Sequence, residues 1–381
     1  MHEKIIAGWD PGRLNNKLYL EDRKIINMNA ICSGYERRTL EEETGDLINF
    51  LDVDIYRNEE FLGRYFVGSM AYRFNRGDLR WSTNGIPKFQ DVETGNDEIV
   101  KLVTHLAYAN YKPKEQIVAY YRLGTGVPTE EYFEQPQLLN SFTQVLKHEY
   151  KVVFKHPLFR DAVVKVKIPD VHFKPEGTAS VVSMCYTDDL KPNNDVKRHL
   201  EKGCIIGLNI GSSTSDVAFM NSKMQFESYG FFGLPVGSSN PLNEIRSKLY
   251  KEYGYDVTKV KLDYLIRNYP KVKYKGKTIN LEEIQKQPFA NMVSLLKTKF
   301  FDKVEMKGMD IGEAGALFIS GGTSIMTERE LHNFIPGVPT IMSSDPLFED
   351  ARGYFLEAKF NAVKEKETQK QIFSNEEIEV E

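Results

Sequence analysis

Two glycine-bearing turns, far apart in the chain, share one build and constrain the fold more than anything else in the sequence. The first runs Ile5-Ile6-Ala7-Gly8-Trp9-Asp10-Pro11-Gly12-Arg13-Leu14-Asn15-Asn16-Lys17. The second runs Ile205-Ile206-Gly207-Leu208-Asn209-Ile210-Gly211-Ser212-Ser213-Thr214-Ser215-Asp216. In each, an apolar strand-like run reaches an acid or amide, passes one residue, and turns at a glycine into a small polar loop. The chain then reads as strand again, at Leu18 to Leu20 and at Val217 to Met220. Each is therefore a hairpin whose tip presents backbone N–H groups, a nest able to hold phosphate oxygens. Alone, either turn is an ordinary polar hairpin. Together they point to two similar halves closing on one phosphate-bearing ligand.

Composition sets the frame for that reading. At 381 residues the chain is long enough for two domains with separate cores. A net charge of −4 gives no general pull toward nucleic acid or an anionic membrane. No apolar run approaches the roughly 20 residues a membrane helix needs. Met1-His2-Glu3-Lys4 leads straight into a strand without a signal-peptide core, and the acidic end from Glu376 to Glu381 would be repelled by anionic lipid. Cys32, Cys185 and Cys204 lie in or near apolar runs without metal-site spacing, and read as buried reduced thiols. The expectation is a soluble, cytoplasmic protein with no direct membrane binding.

Periodicity orders the chain as follows. Three strands are expected at 5–9, 17–20 and 24–31, a strand pair at 51–56 and 61–67, and a helix from 96 to 111 capped by Thr94 or Asn96. A buried strand at 117–121 precedes a glycine–proline loop, Gly124 to Pro128; a helix at 138–148 and strands at 152–154 and 163–168 follow. The stretch Asp188 to Asn194 is the best linker. After it the strand–turn–strand pattern recurs, with a third strand expected at 224–229. Helices are expected at 240–252, 281–300, 323–334 and 346–364, and short strands at 316–319 and 340–342. This divides the chain into a first domain (1–187, with an insert at about 33–95) and a second (188–343, with an insert at about 255–290). A closing helix (344–364) returns to the first domain, and the polar tail 365–381 reads as disordered.

Four segments carry chemistry. In the first turn, Gly12 lets the backbone approach a phosphate, Lys17 supplies a positive point charge, and Asp10 suits a hydrated Mg²⁺, which accepts one or two carboxylates. In the second, Gly211 and the hydroxyls of Ser212, Ser213 and Thr214 suit terminal phosphates, while Asp216 either fixes the hairpin or approaches the metal. Gly321 and Gly322 end an apolar strand before a helix opening at Thr323, leaving space for a flat base and ribose. Glu176, after Pro175 and at the start of a helix expected over 177–186, is placed to orient or deprotonate a water attacking a γ-phosphate. Each segment alone is common in ordinary proteins.

In this order the four resemble the actin-like ATPase superfamily, and within it the plasmid-segregation actins of the ParM type. Asp10, Gly12, Asn15 and Lys17 match the family's first phosphate motif, Pro175 and Glu176 its connecting motif, and Gly321, Gly322 and Thr323 its adenosine motif. The stretch from Asp345 to Tyr354 looks like the closing helix of bacterial and archaeal relatives. Gly237 resembles a glycine before a helix that faces the base, and Arg246 on that helix is the expected basic ribose or base contact. The resemblance covers roughly residues 4–360. One departure stands out: Asn209 occupies the position where the family has Asp, and brings no negative charge to the metal's water shell.

The resemblance implies an α/β, actin-like two-domain fold built from duplicated ribonuclease H-like β-β-β-α-β-α cores with a nucleotide cleft between them. It implies ATP (or GTP) and Mg²⁺ as cofactors, with Asp10, Asn209 and Asp216 facing the metal and Glu176 catalytic. It also implies self-association into filaments, ATPase activity that triggers their disassembly, and a DNA-binding adaptor protein that links them to a centromere-like plasmid site. A small-molecule kinase of the same superfamily is the alternative, but no acceptor pocket can be assigned. Filament faces are expected in the two inserts. The lysine-rich hairpin Lys271 to Lys277 is expected to protect an edge strand, its sharper reading being a contact with an acidic neighbour or DNA.

Overall fold

The computed structural model describes residues 3–37, 45–81 and 97–378. In the first half the strands are β1 (Ile5–Pro11), β2 (Asn15–Tyr19), β3 (Lys24–Met28), β4 (Ala30–Ser33), β5 (Leu51–Arg57), β6 (Glu60–Val67), β7 (Arg80–Trp81), β8 (Gln116–Val127), β9 (Glu149–Phe154) and β10 (Val163–Pro175). The helices there are α1 (Ser69–Phe74), α2 (Asp97–Asn110), α3 (Thr129–Glu134), α4 (Pro136–Leu146) and α5 (Thr178–Cys185). In the second half the strands are β11 (Ile205–Ile210), β12 (Ser215–Met220), β13 (Phe232–Leu234), β14 (Lys271–Tyr274), β15 (Lys277–Asn280), β16 (Ala316–Ser320) and β17 (Thr340–Met342). Its helices are α6 (Asn194–Leu200), α7 (Ser239–Tyr253), α8 (Lys259–Asn268), α9 (Leu281–Met306), α10 (Ser324–Leu331) and α11 (Glu349–Ile378).

The two halves follow one path. One sheet contains β3-β2-β1-β8-β10 and the other is β13-β12-β11-β16-β17. In both, three antiparallel strands are followed by two that join in parallel. A parallel join needs a crossover, and helices α2 and α9 provide one in each half. Helices on both faces explain why β11, Ile-Ile-Gly-Leu-Asn-Ile, is buried at every position. The first sheet continues past β10 through β9-β5-β6-β4-β7, so the expected insert widens that sheet.

Each half has its own apolar core. In the first, Trp9 stacks on Phe142 with centroids 6.3 Å apart, and α2 buries Ile99, Leu102, Val103 and Leu106, the residues whose spacing predicts a helix there. In the second, Leu208, Leu242, Leu296 and Phe300 are fully buried among their neighbours. Helix α11 seats itself on β1, β8 and α5 by backbone contact. A Cβ at Gly8, Gly124 or Gly353 would stand 1.9, 2.0 or 1.9 Å from the carbonyl oxygens of Ala351, Tyr354 and Ala179. Arg352 locks the seat, donating to Asp188 Oδ1 (2.8 Å), Ser183 Oγ (2.9 Å) and the Tyr186 carbonyl (2.8 Å).

Several sequence expectations need correction. The third strand of the second half lies at 232–234, not 224–229, because Asn221 accepts from the N–H groups of Lys223 (3.0 Å) and Gln225 (3.1 Å) and builds a turn. Gly124 to Val127 is strand, since β8 is held on both sides by β1 and β10. Helix α8 was not expected. The segment 365–378 continues α11, with no Gly or Pro after Gly353 to stop it and Glu365 paired to Arg122. The lysine hairpin β14–β15 forms its own two-stranded sheet and guards no larger edge. Tyr274 anchors it by stacking on Tyr255 at 4.3 Å, and its four lysines are exposed. The N-cap at Thr94 or Asn96 and parts of the 33–95 insert lie outside the described residues. Cys32 and Cys185 are buried free thiols, and Cys204 is half-buried. Among the described residues, no helix is long and apolar enough to cross a membrane.

Candidate functional site

The tips of the two hairpins face each other across a cleft of about 340 Å³. Asp10, Gly12, Asn15 and Lys17 line it from the first half; Asn209, Gly211, Ser212, Ser213, Thr214 and Asp216 line it from the second. The strand register explains this convergence. Asp10 lies opposite Lys17 in the β1–β2 pair, and Asn209 lies opposite Asp216 in the β11–β12 pair. The two hairpins thus present equivalent positions to the same space.

In the first turn Lys17 Nζ meets Asp10 Oδ2 at 2.6 Å, with both side chains largely buried. A support that the sequence reading missed stands behind Gly12. Asn29 Nδ2 donates to the Gly12 carbonyl (2.7 Å), and the buried Lys101 ammonium holds the Asn29 side-chain oxygen and Glu98 Oε1 (2.6 Å). Arg13 reaches Glu131 of α3 at 3.7 Å.

The second turn is clamped from two directions. Its own closure is Gly211 N–H to the Thr214 carbonyl at 2.9 Å. The start of α7 bonds to it through Ser239 N–H and the Ser212 carbonyl (2.7 Å), and Thr323 Oγ1 donates to the Gly211 carbonyl at 2.7 Å. Thr323 therefore ties α10 to the second turn and makes no side-chain cap. Gly237 holds α7 close: a Cβ there would stand 2.7 Å from the Gly211 and Ser212 carbonyl oxygens. It supports the turn from behind, and its neighbour Ser238 lines the cleft. Asp216 accepts from Thr129 N–H (3.1 Å) and Thr214 Oγ1 (3.2 Å), so it joins the two halves as well as fixing the hairpin.

Glu176 lines the cleft between the two tips. Its backbone is held by Val127 and Thr129: its N–H donates to the Val127 carbonyl (2.8 Å), and Thr129 Oγ1 donates to its carbonyl (3.1 Å). The next residue, Gly177, has φ +82°, a conformation that favours glycine, and so turns the chain from β10 into α5 immediately after the carboxylate. Helix α5 begins at Thr178, and Glu176 lies just ahead of it rather than in its first turn.

Gly321, Gly322, Leu347 and Arg267 also line the cleft, Gly321 lying close against Asn209 and Ile210. Arg267 is the second residue that sequence reasoning missed. Asp263, one turn earlier on α8, holds its guanidinium with two hydrogen bonds of 2.8 Å, and its NH1 donates to the Gly322 carbonyl at 2.5 Å. Arg246, the expected basic contact, is not at the cleft. It lies two turns along α7 and donates to the Val257 carbonyl at 2.6 Å, bracing the α7–α8 connection. The i,i+4 pairing of Asp263 with Arg267 was the available signal for α8.

The third missed residue is Asp350, in the first turn of α11. It lines the cleft, accepts a hydrogen bond from Asn209 Nδ2, and keeps its Oδ1 buried without a hydrogen-bond partner. Burial, then the negative charges of Asp10 and Glu176, push its carboxyl up to about 8, against the pull of Lys17 and Asn209. Among the described residues no three His, Cys, Asp or Glu side chains converge to cage a metal ion. The site fits a cation that takes most of its coordination from phosphates and water, as Mg²⁺ does, with the carboxylate residues Asp10 and Asp350 in the lining.

No protein-family model matches the chain, and no curated protein matches it. Solved structures do. A 15-stranded ParM filament from Clostridium botulinum aligns with a TM-score of 0.74 at 22% identity, covering 94% of this chain and 99% of that one. Bacillus thuringiensis ParM with AMPPNP gives 0.68 at 16%, covering 95% and 100%. An archaeal actin homologue in complex with ADP gives 0.69 at 14%, covering 93% and 99%. The fold is therefore actin-like: α/β, in two halves of like topology. That fold is shared with the ParM structures and with the archaeal actin homologue over nearly the whole length of each.

Proposed function

We propose that the protein is a nucleotide-driven, filament-forming actin homologue. The observation that carries this reading is the convergence of both hairpin tips, Glu176 and the Gly321-Gly322 corner on one cleft. Backbone N–H groups of the two tips and Lys17 hold the phosphates of ATP, with Asn15 and the hydroxyls of Ser212, Ser213 and Thr214 at the rim. The base and ribose lie along Gly321 and Gly322, with Thr323 behind and Arg267 in the place first given to Arg246. Mg²⁺ supplies charge neutralisation at the phosphates, and Asp10 faces it; Asp216 acts chiefly through the hairpin. Glu176 accepts a proton from, or orients, the water that attacks the γ-phosphate.

The two arms of the clamp belong to different halves, divided near 187–188, so nucleotide state alters how the halves sit together. Filament growth then depends on that state, and hydrolysis loosens the assembly. A filament of this kind needs a head-to-tail contact that never closes into a ring. Its task is the segregation of plasmid DNA through a DNA-binding adaptor protein at a centromere-like site.

High-speed pelleting and negative-stain electron microscopy test this, with ATP, GTP, AMPPNP, ADP or no nucleotide, each with Mg²⁺. Filaments that pellet with a triphosphate and are scarce with ADP or without nucleotide are expected. A monomer under every condition that transfers phosphate to a small acceptor would replace this reading with a kinase.

A further inference from the structure

Asn209 leaves its own position in the second turn, opposite Asp216, without a carboxylate, and the fold sets Asp350 beside it. Asp350 is 8% exposed and accepts a hydrogen bond from Asn209 Nδ2. Its Oδ1 is buried with no hydrogen-bond partner, although the residue lines the cleft with Asp10, Lys17 and Glu176. A buried polar atom left without a partner is rare in native proteins and marks a place where water, an ion or a ligand belongs. Protein charge does not fill that place. Lys17 is committed to Asp10 at 2.6 Å, and no salt bridge among the described residues reaches Asp350.

We propose that Asp350 supplies the anionic group that position 209 lacks, accepting hydrogen bonds from the water shell of the Mg²⁺ that accompanies the nucleotide. The amide of Asn209 orients it. Without a cation, burial and the charges of Asp10 and Glu176 disfavour its ionised form; a bound cation offsets them, so that beside Mg²⁺ the two residues act as one acid–amide pair carrying a single charge. This rests on the nucleotide-binding reading above. It also gives α11 a direct stake in the metal: two residues beyond Asp350, Arg352 ties the helix to Asp188, Ser183 and Tyr186.

The test uses the full-length protein, AMPPNP and Mn²⁺ as a spectroscopic probe for Mg²⁺. Asp350→Asn should weaken Mn²⁺ binding to the AMPPNP-loaded protein by about tenfold, the lower end of what outer-shell ligand changes do to metal affinity. AMPPNP binding in the presence of EDTA should stay the same or tighten, because asparagine adds no negative charge near the phosphates. The exchanged pair, Asn209→Asp with Asp350→Asn, should restore Mn²⁺ affinity. A general folding defect would instead weaken nucleotide binding with and without metal, and the exchange would not repair it; that result overturns the proposal. So does an Asp350→Asn protein whose Mn²⁺ titration matches wild type. If the wild-type protein binds no nucleotide at all, the nucleotide reading fails and this inference falls with it.

Discussion

At the level of single residues, the first turn shows how local spacing and distant support combine. Asp10, Gly12 and Lys17 could be read from the sequence because they lie within one hairpin. Asn29, which bonds Gly12, and Lys101, which holds Asn29, could not, because they come from elsewhere in the chain and only the fold brings them there. The same holds for Arg267 and Asp350, whereas Arg246 failed because a helix position does not say which neighbour its side chain will meet. One residue beside the Lys101 network offers a clean test of burial. His105 is buried, its Nδ1 donates to the Lys101 carbonyl (2.6 Å), and burial lowers its pKa from 6.5 to about 4. The native state therefore binds fewer protons than the unfolded chain between those values. The stability contribution is present above the ordinary histidine pKa and is lost as pH falls toward 4, by about 3 kcal/mol at 1.36 kcal/mol per unit. His105→Gln should flatten that slope in urea unfolding midpoints measured from pH 4 to 7. Parallel profiles for the two proteins would show that His105 is protonated in the native state without penalty.

At the level of elements, strand–turn–strand units were legible because alternation and glycine turns are written locally. The third strand of the second half was misplaced by the Asn221 turn, and the end of α11 by reading charge as disorder where a helix without breakers continues. What the sequence could not display is how closely α11 lies on its neighbours. Gly353 of α11 stands against Ala179 of α5, and a Cβ there would come to 1.9 Å from the Ala179 carbonyl oxygen. Two backbones cannot yield as a side-chain end can. Gly353→Ala should therefore cost about 1–3 kcal/mol or more, as overpacking does, despite alanine's better helix propensity. The check is the thermal unfolding midpoint, read with and without AMPPNP. A midpoint equal to or above wild type would mean that α11 can move off α5 freely, and that its seat is not fixed by this contact.

For the whole molecule, the repeated path of the two sheets is the main fact. It was legible as a recurring β-β-β pattern, while the convergence of the two tips on one cleft depends on how the halves and α11 pack, which no local pattern encodes. The central claim is that nucleotide in this cleft drives assembly and that Glu176 ends it. Right-angle light scattering after addition of ATP and Mg²⁺ tests both parts in one trace, with phosphate release followed in parallel. Wild-type protein should show scattering that rises and then decays as phosphate appears. Glu176→Ala should rise and hold, with phosphate release slower by about 10²-fold, the scale of a lost general base. A wild-type trace that stays flat at every protein concentration, or a Glu176→Ala protein that releases phosphate at the wild-type rate and disassembles with it, would contradict the account.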